Sequence, residues 1–359
     1  MNKPLLRFEG YTKNWDVRQI NSIFDLSAGG DVDFNTFSKE KDDLHPYPIF
    51  ANSVINHGLY GYSSSFREEG QCITITGRGV NVGYAEKRLE RFTPIVRLLT
   101  LRPKEAVDLD FYRFALNYHD FFIETTGIPQ LTAPQCGSET IKIPELKEQE
   151  EIAKFLLNLE NQINNCRLVI RKWKQIREHK LRNSFELHVK SDFSVDDVLS
   201  FEKKTKHSCS SGKEEGEYRF FTSGAELKKY DSYDFDGNFI ICNDGGTASF
   251  DFASSKFAVS DHCIVLGLKD KRFKLKYVYY YLKRVERLID YAGFVGTGLK
   301  NIDKDWFKEF PIPFVDENVQ NEIIKSIEKI DKFIDDRIHQ LTWLKRRYYF
   351  YTRALLIKK

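Results

Sequence analysis

The chain has 359 residues, of which 30% are charged and 14% aromatic, including 29 Phe and 18 Tyr; that length predicts two or three domains with well-filled cores. A mean hydropathy of −0.47, with no apolar run near the ~20 residues that span a bilayer, excludes a membrane-spanning helix. The net charge of +3 neither demands nor excludes nucleic acid, because clustering matters more than the total.

The opening, MNKPLLRFEGYTKNWD, lacks the long apolar stretch of a signal peptide. Cys72, Cys136, Cys166, Cys209, Cys242 and Cys263 are scattered without a CxxC pair, so they read as reduced thiols of a cytoplasmic protein. Apolar residues at 17, 20, 23 and 24 have a short helical period. A Gly-, Asp- and Ser-rich loop follows, then an irregular strand-like stretch over 47–61. QCITIT at 71–76 reads as a strand and GRGVNVG at 77–83 as a glycine-punctuated turn. Residues 84–101 read as further strands, with PIVRLL at 94–99 the most apolar, and 110–122 as an aromatic amphipathic helix.

A proline stop at Pro144 then precedes one long helix. Ile152, Leu159, Cys166 and Trp173 lie seven apart, with Leu156, Ile163 and Ile170 between them, the spacing of a coiled-coil seam. About 40 residues at 1.5 Å each predict a rod of roughly 60 Å. One apolar stripe needs a partner, and the sequence supplies it. Aligning Ile143-Pro144 on Ile312-Pro313, Gln149 on Gln320, Ile152 on Ile323, Leu159 on Ile330, Ile163 on Ile334 and Trp173 on Trp343 reveals an internal duplication at offsets of about 170 residues.

The intervening residues repeat the first domain in outline. Val195 to Phe201 matches the opening helix, Tyr218-Arg219-Phe220-Phe221 matches Tyr47-Pro48-Ile49-Phe50, and NFIIC matches QCITI. Asn243-Asp244-Gly245-Gly246-Thr247 matches the glycine turn, 276–292 the aromatic helix, and GTGLKNI at 296–302 matches TTGIPQL at 125–131. The expected fold is α/β (α+β): two similar globular domains at 1–145 and 189–313, with long antiparallel coiled-coil helices at 146–188 and 314–359 as a pseudo-twofold repeat. The loop side chains differ between the copies, which predicts one scaffold carrying two reading surfaces.

Three features resemble the specificity subunit of type I restriction-modification systems. Ile143-Pro144-Glu145-Leu146-Lys147-Glu148-Gln149-Glu150-Glu151-Ile152 is similar to the I-P-x-L-x-E-Q-x-x-I sequence that opens that family's spacer helix. Thr126-Gly127-Ile128-Pro129-Gln130-Leu131 is similar to its T-G-I-P-x-L loop, and the domain-helix-domain-helix order covers essentially the whole chain. The second copy departs, with Pro313-Phe314-Val315-Asp316-Glu317-Asn318-Val319-Gln320 lacking the Glu-Gln pair. The resemblance implies two target recognition domains, each reading half of a split double-stranded DNA sequence, with the helix pair setting the gap. It implies two methylation subunits as partners, with restriction subunits joining through them. S-adenosylmethionine, ATP and Mg²⁺ would belong to those partners, with no cofactor and no catalysis in this chain. The alternative is a two-domain coiled-coil adaptor that does not bind DNA.

Each candidate contact has a plain structural alternative. Arg78 and Asn81 on the glycine turn suit guanine and adenine edges, or the segment is simply a tight turn; neither GxxxxGK[ST] nor GxGxxG is present. Asn243 and Thr247 are their second-domain counterparts. Lys203, Lys204 and Lys206, and Lys87, Arg88 and Arg91, are candidate phosphate contacts or solvated positions. Gln130 and Lys300 lie on loops that serve as structural joints or as DNA contacts. Ile152, Leu159, Ile163, Trp173, Ile323, Ile330, Ile334 and Trp343 are assigned to the helix pair or a partner surface. Cys242, Asp261, His262 and Cys263 include possible zinc ligands, but Cys209 and His207 have the wrong spacing for a finger or ribbon, so no metal site is expected.

Overall fold

The computed structural model describes residues 3–123, 127–185, 191–203, 205–224 and 226–356. The chain divides into two compact units, residues 1–167 with 340–359 and residues 168–339. Each long helix therefore contributes to both. Each unit has its own apolar core, one around Trp15, Phe24, Ile73, Leu101 and Phe111, the other around Ile240, Phe250, Leu266, Tyr277 and Tyr281.

In the first unit, Phe24–Ala28, Leu99–Pro103, Cys72–Ile75 and Ala85–Arg88 form an antiparallel sheet in that order. A second sheet orders Phe37–Ser38, Leu59–Ser63, Tyr47–Phe50 and Thr93–Pro94, the last pair parallel. The second unit repeats the plan. Leu199–Phe201, Cys263–Leu268, Asn238–Asn243 and Phe250–Ser254 form the antiparallel sheet. Lys228–Tyr230, Tyr218–Phe221 and Phe257–Val259 form the other sheet, again with a parallel last pair.

Each antiparallel sheet carries one amphipathic helix, Leu109–Tyr118 in the first unit and Leu275–Gly293 in the second. We call these the domain helices. Their side chains bond the backbone of the outermost strand or of the residues leading into it. Asn117 accepts from the Ala85 amide at 2.9 Å and donates to its carbonyl at 2.8 Å. In the second unit Asp290 and Glu286 accept from the amides of Ala248 and Phe250. Tyr277, Tyr280 and Tyr281 are 1% exposed, so these three rings pack in a core and are not a stacking surface.

The long helices are Leu146–Ser184 and Glu317–Leu355. In the first unit Ile152, Leu156, Leu159, Ile163 and Cys166 are buried, and Phe155 packs edge-on against Tyr351. In the second, Trp173 packs on Phe333 at 4.4 Å while Arg177 bonds Asp331 at 2.5 Å. Ascending the first helix thus descends the second, so the pair is antiparallel. Ile327, Ile334 and Leu344 are buried, and Ile323 and Ile330 half-buried.

A glutamine clamp opens both helices. Gln149 accepts from the Asp108 amide and donates to the Pro144 carbonyl. Gln320 accepts from the Lys274 amide and donates to the carbonyls of Val315 and Arg272. Each clamp ties the start of a domain helix to the start of a long helix, so an offset of 171 residues relates the long helices. That offset pairs Trp173 with Leu344, and Trp343 falls one residue away. One residue turns a helix by about 100°. Trp343 is consequently 54% exposed, under the Arg347 guanidinium at 4.6 Å, and does not pack in the helix pair as expected.

Two further expectations are corrected. Residues 16–19 form a strand, Asp16–Gln19, paired with Thr140–Ile143, and only Ile20–Ile23 is helical. The PIVRLL stretch is broken in the middle: Ile95 and Leu98 are buried anchors, while Val96 and Arg97 between them have φ of 52° and 60°. Burial satisfies the apolar pattern through a reversal of the chain.

Candidate nucleic-acid interface

In the first unit the chain leaves the central strand at Thr76 and enters the glycine turn. The turn is sewn to residues 127–131: the Leu131 amide donates to Gly77, the Gly79 amide to Pro129, and Arg78 bridges Gln130. Thr76 closes it from inside, its hydroxyl donating to the Asn81 carbonyl. Gly79 has a φ of +95°, which glycine adopts without strain. The backbone is thus committed, and the side chains of Arg78, Val80 and Asn81 stay exposed.

The second unit makes the same bonds with other side chains. The Ile302 amide donates to Asp244 at 3.0 Å, the Gly246 amide to Lys300 at 2.8 Å, and Gly245 bridges Asn301. Gly246, with a φ of +86°, takes the place of Gly79, Gly245 that of Arg78, and Asn301 that of Gln130. Asn243 turns inward, donating to the carbonyls of Gly245 and Thr247 and accepting from the Ser249 amide. At 6% exposure it builds the turn, whereas Thr247 and Lys300 are exposed. Beside the turn lies a hollow of about 590 Å³, lined by Arg219, Phe221, Thr247 and Asp251 among others.

The basic candidates separate by partner. Arg88 is 6% exposed, lies 3.7 Å over the Phe50 ring and donates to Thr74 and the His57 carbonyl; burial lowers its pKa. Lys87 pairs with Asp110 at 2.5 Å and Arg91 with Glu69 at 2.8 Å. Arg88 is thus a packing residue, while Lys87 and Arg91 reach another anion only by exchanging partners. Lys203 and Lys206 are exposed, with no ion-pair partner among the described residues; Lys204 lies outside the described residues. Lys274, Lys276 and Arg272 are paired with Glu317, Glu328 and Asp270.

Sequence reasoning missed Val96-Arg97, because neither residue type announces a left-handed turn. The turn adjoins Gly77: a Cβ there would sit 2.5 Å from the Arg97 carbonyl. Asn52 links the two, accepting from the Gly77 amide and donating to the Val96 carbonyl. Arg78 and Arg97 thus stand on adjoining turns, both exposed.

Residues 12–169 and 190–342 each match the family described as "Type I restriction modification DNA specificity domain". Two proteins named type I specificity subunits in Mycoplasma pneumoniae match in sequence. One is 34% identical over 151 residues, 40% of this chain and 44% of that protein. The other is 37% identical over 120 residues, 33% of each. The chain thus spans less than half the length of these curated relatives. Among solved structures, the S subunit of a type I restriction-modification system from M. genitalium has a TM-score of 0.73 at 17% identity, covering 99% of this chain and 100% of that one. A chain from a study of type I R-M complex assembly and conformational transition has a TM-score of 0.52 at 12% identity, covering 95% and 97%. At these identities the structural likeness is one of fold.

Proposed function

The chain belongs to the type I restriction-modification DNA specificity family, and from that premise we propose that it is the DNA-specificity subunit of such a complex. Each unit reads one half of a bipartite duplex target, and the antiparallel helices hold the halves at a set gap. One observation carries this reading. A single arrangement of turn and loop, with the same three backbone links, is built twice and dressed with different side chains. A scaffold that fixes backbone and varies exposed side chains suits direct readout, where side-chain donors and acceptors identify base edges. The adaptor alternative has no comparable support, since the matched family is a DNA specificity domain.

In this proposal Arg78, Asn81, Thr247 and Lys300 face bases or backbone, and Lys203, Lys204 and Lys206 contact phosphate. The chain is non-catalytic. Two methylation subunits dock on it, restriction subunits join through them, and S-adenosylmethionine, ATP and Mg²⁺ serve those partners. The C-terminal basic and aromatic face, with Trp343 and Arg347, is a candidate docking surface.

Binding of random and specific duplexes by the chain with its methylation subunits tests the reading. Affinity should fall steeply as salt rises, because each phosphate contact releases counterions; no binding at low salt would refute it. The spacing role has its own test. Deleting seven residues from both long helices removes roughly 10 Å of rod. Methylome sequencing should then find the same half-sequences with a gap shorter by about three base pairs. Changed half-sequences at the old gap would reject the spacer.

A further inference from the structure

Between buried Ile95 and Leu98, Val96 and Arg97 both adopt a positive φ, a conformation β-branched residues rarely enter. The surroundings enforce it. The Ile95 amide donates to Phe50, Val96 to Gly30, Arg97 to Gly29 and Leu98 to Ile95, while Asn52 holds the Val96 carbonyl. Gly29 permits this approach, since a Cβ there would lie 2.6 Å from the Pro94 carbonyl.

The scaffold does not itself require the strain. In the second unit the Ser260 amide donates to Phe221, Asp261 to His207 and Cys263 to Ser260, the counterparts of three of these four backbone bonds. Asp261 and His262 complete that turn without a positive φ. What the strain adds in the first unit is a fixed direction for two exposed side chains, Val96 and Arg97. The Arg97 guanidinium has no hydrogen-bond or ion-pair partner among the described residues, and neither has that of Arg78 on the adjoining turn. Two unpaired guanidiniums on abutting rigid turns form a cationic tip, with Val96 as an apolar neighbour. Strain of this kind is held where a side chain must be aimed.

We propose that Arg97 is a specificity-determining residue: the locked Val96-Arg97 turn presents its guanidinium fork to a base pair whose major-groove edge offers two adjacent acceptors, as guanine does. This rests on the DNA-reading function proposed above. The second unit carries an acid and an imidazole at the same turn, so it reads a different edge.

The test is selection from a random duplex library by the full chain with its methylation subunits, using wild type, Arg97→Ala and Arg97→Lys. In Arg97→Ala, preference at one base pair of one half-sequence should fall roughly ten- to a hundredfold. The other half-sequence, the gap and the thermal unfolding should be unchanged. Arg97→Lys should relax the same base pair while keeping affinity, because a point charge lacks the fork. Uniform weakening across sequences, with a salt slope shallower by about one, would make Arg97 a phosphate contact and overturn the inference. Unchanged preferences in Arg97→Ala would overturn it too, leaving the broader function intact. Failure of wild type to enrich any duplex would instead reject the DNA-reading function, and this inference with it.

Discussion

Glu160 in the first unit and Asp331 in the second occupy equivalent places, 171 residues apart, and are satisfied in opposite ways. Glu160, on the first long helix, accepts from Arg113 of the domain helix at 2.7 and 3.3 Å. Tyr348 of the second long helix lies beside it, and burial, then the Glu160 charge, raise that hydroxyl's pKa. Asp331, on the second long helix, accepts from Arg177 of the first at 2.5 Å and from the Tyr280 hydroxyl of the domain helix at 3.0 Å. The same offset relates Arg177 and Tyr348. Both units therefore place a carboxylate among three helices, but arginine and tyrosine have exchanged elements. The physical requirement is compensation of a half-buried charge. Which helix supplies the cation is free to change, so the two copies diverge in identity while keeping one joint.

The largest effects should come from breaking the equivalent cores. Leu156 and Ile327 share the offset and are both 0% exposed. Leu156→Ala and Ile327→Ala should each cost about 2–5 kcal/mol. Calorimetry should show each lowering a different transition, the first that of the first unit and the second that of the second. A single transition lowered by both would mean that the units unfold as one body.

The carboxylate joints come next. Glu160→Gln and Asp331→Asn should each cost about 1–3 kcal/mol in urea unfolding, since each takes the closest anion from a half-buried arginine and leaves only Asp110 or Glu178 at 3.7 Å. A neutral result in one unit would show that the joint matters only in the other. The smallest contrast separates the two tryptophans. Trp173→Ala loses the Phe333 contact and should cost about 1 kcal/mol or more. Exposed Trp343→Ala should stay within about 0.5 kcal/mol. Equal costs would restore the symmetric placement that sequence alignment suggested.

The duplication and the helix seam were readable because burial at a 3-4 spacing leaves a periodic trace, and because Gln149 and Gln320 mark the same clamp. The pairing of GRGVNVG with NDGGT, and of TTGIPQL with GTGLKNI, was readable because glycine marks the positive φ of Gly79 and Gly246. Side-chain destinations left no such trace. Arg88 is as basic as Arg91, yet one packs on Phe50 and the other lies exposed beside Glu69. Asn243 has the same amide as Asn81 and turns inward. Val96-Arg97 looks like strand in the sequence because its left-handed backbone is imposed by Gly29, Gly30 and Asn52, all distant in sequence.

The Asn117, Asp290 and Glu286 contacts bear on how the protein behaves in a crowded solution. A free border strand is a template on which another polypeptide can add itself, and repeated addition ends in aggregation. Here side chains from the covering helix already hold the Ala85, Ala248 and Phe250 amides. Any incoming strand would have to displace them first, so this border of each antiparallel sheet is guarded against edge-on addition.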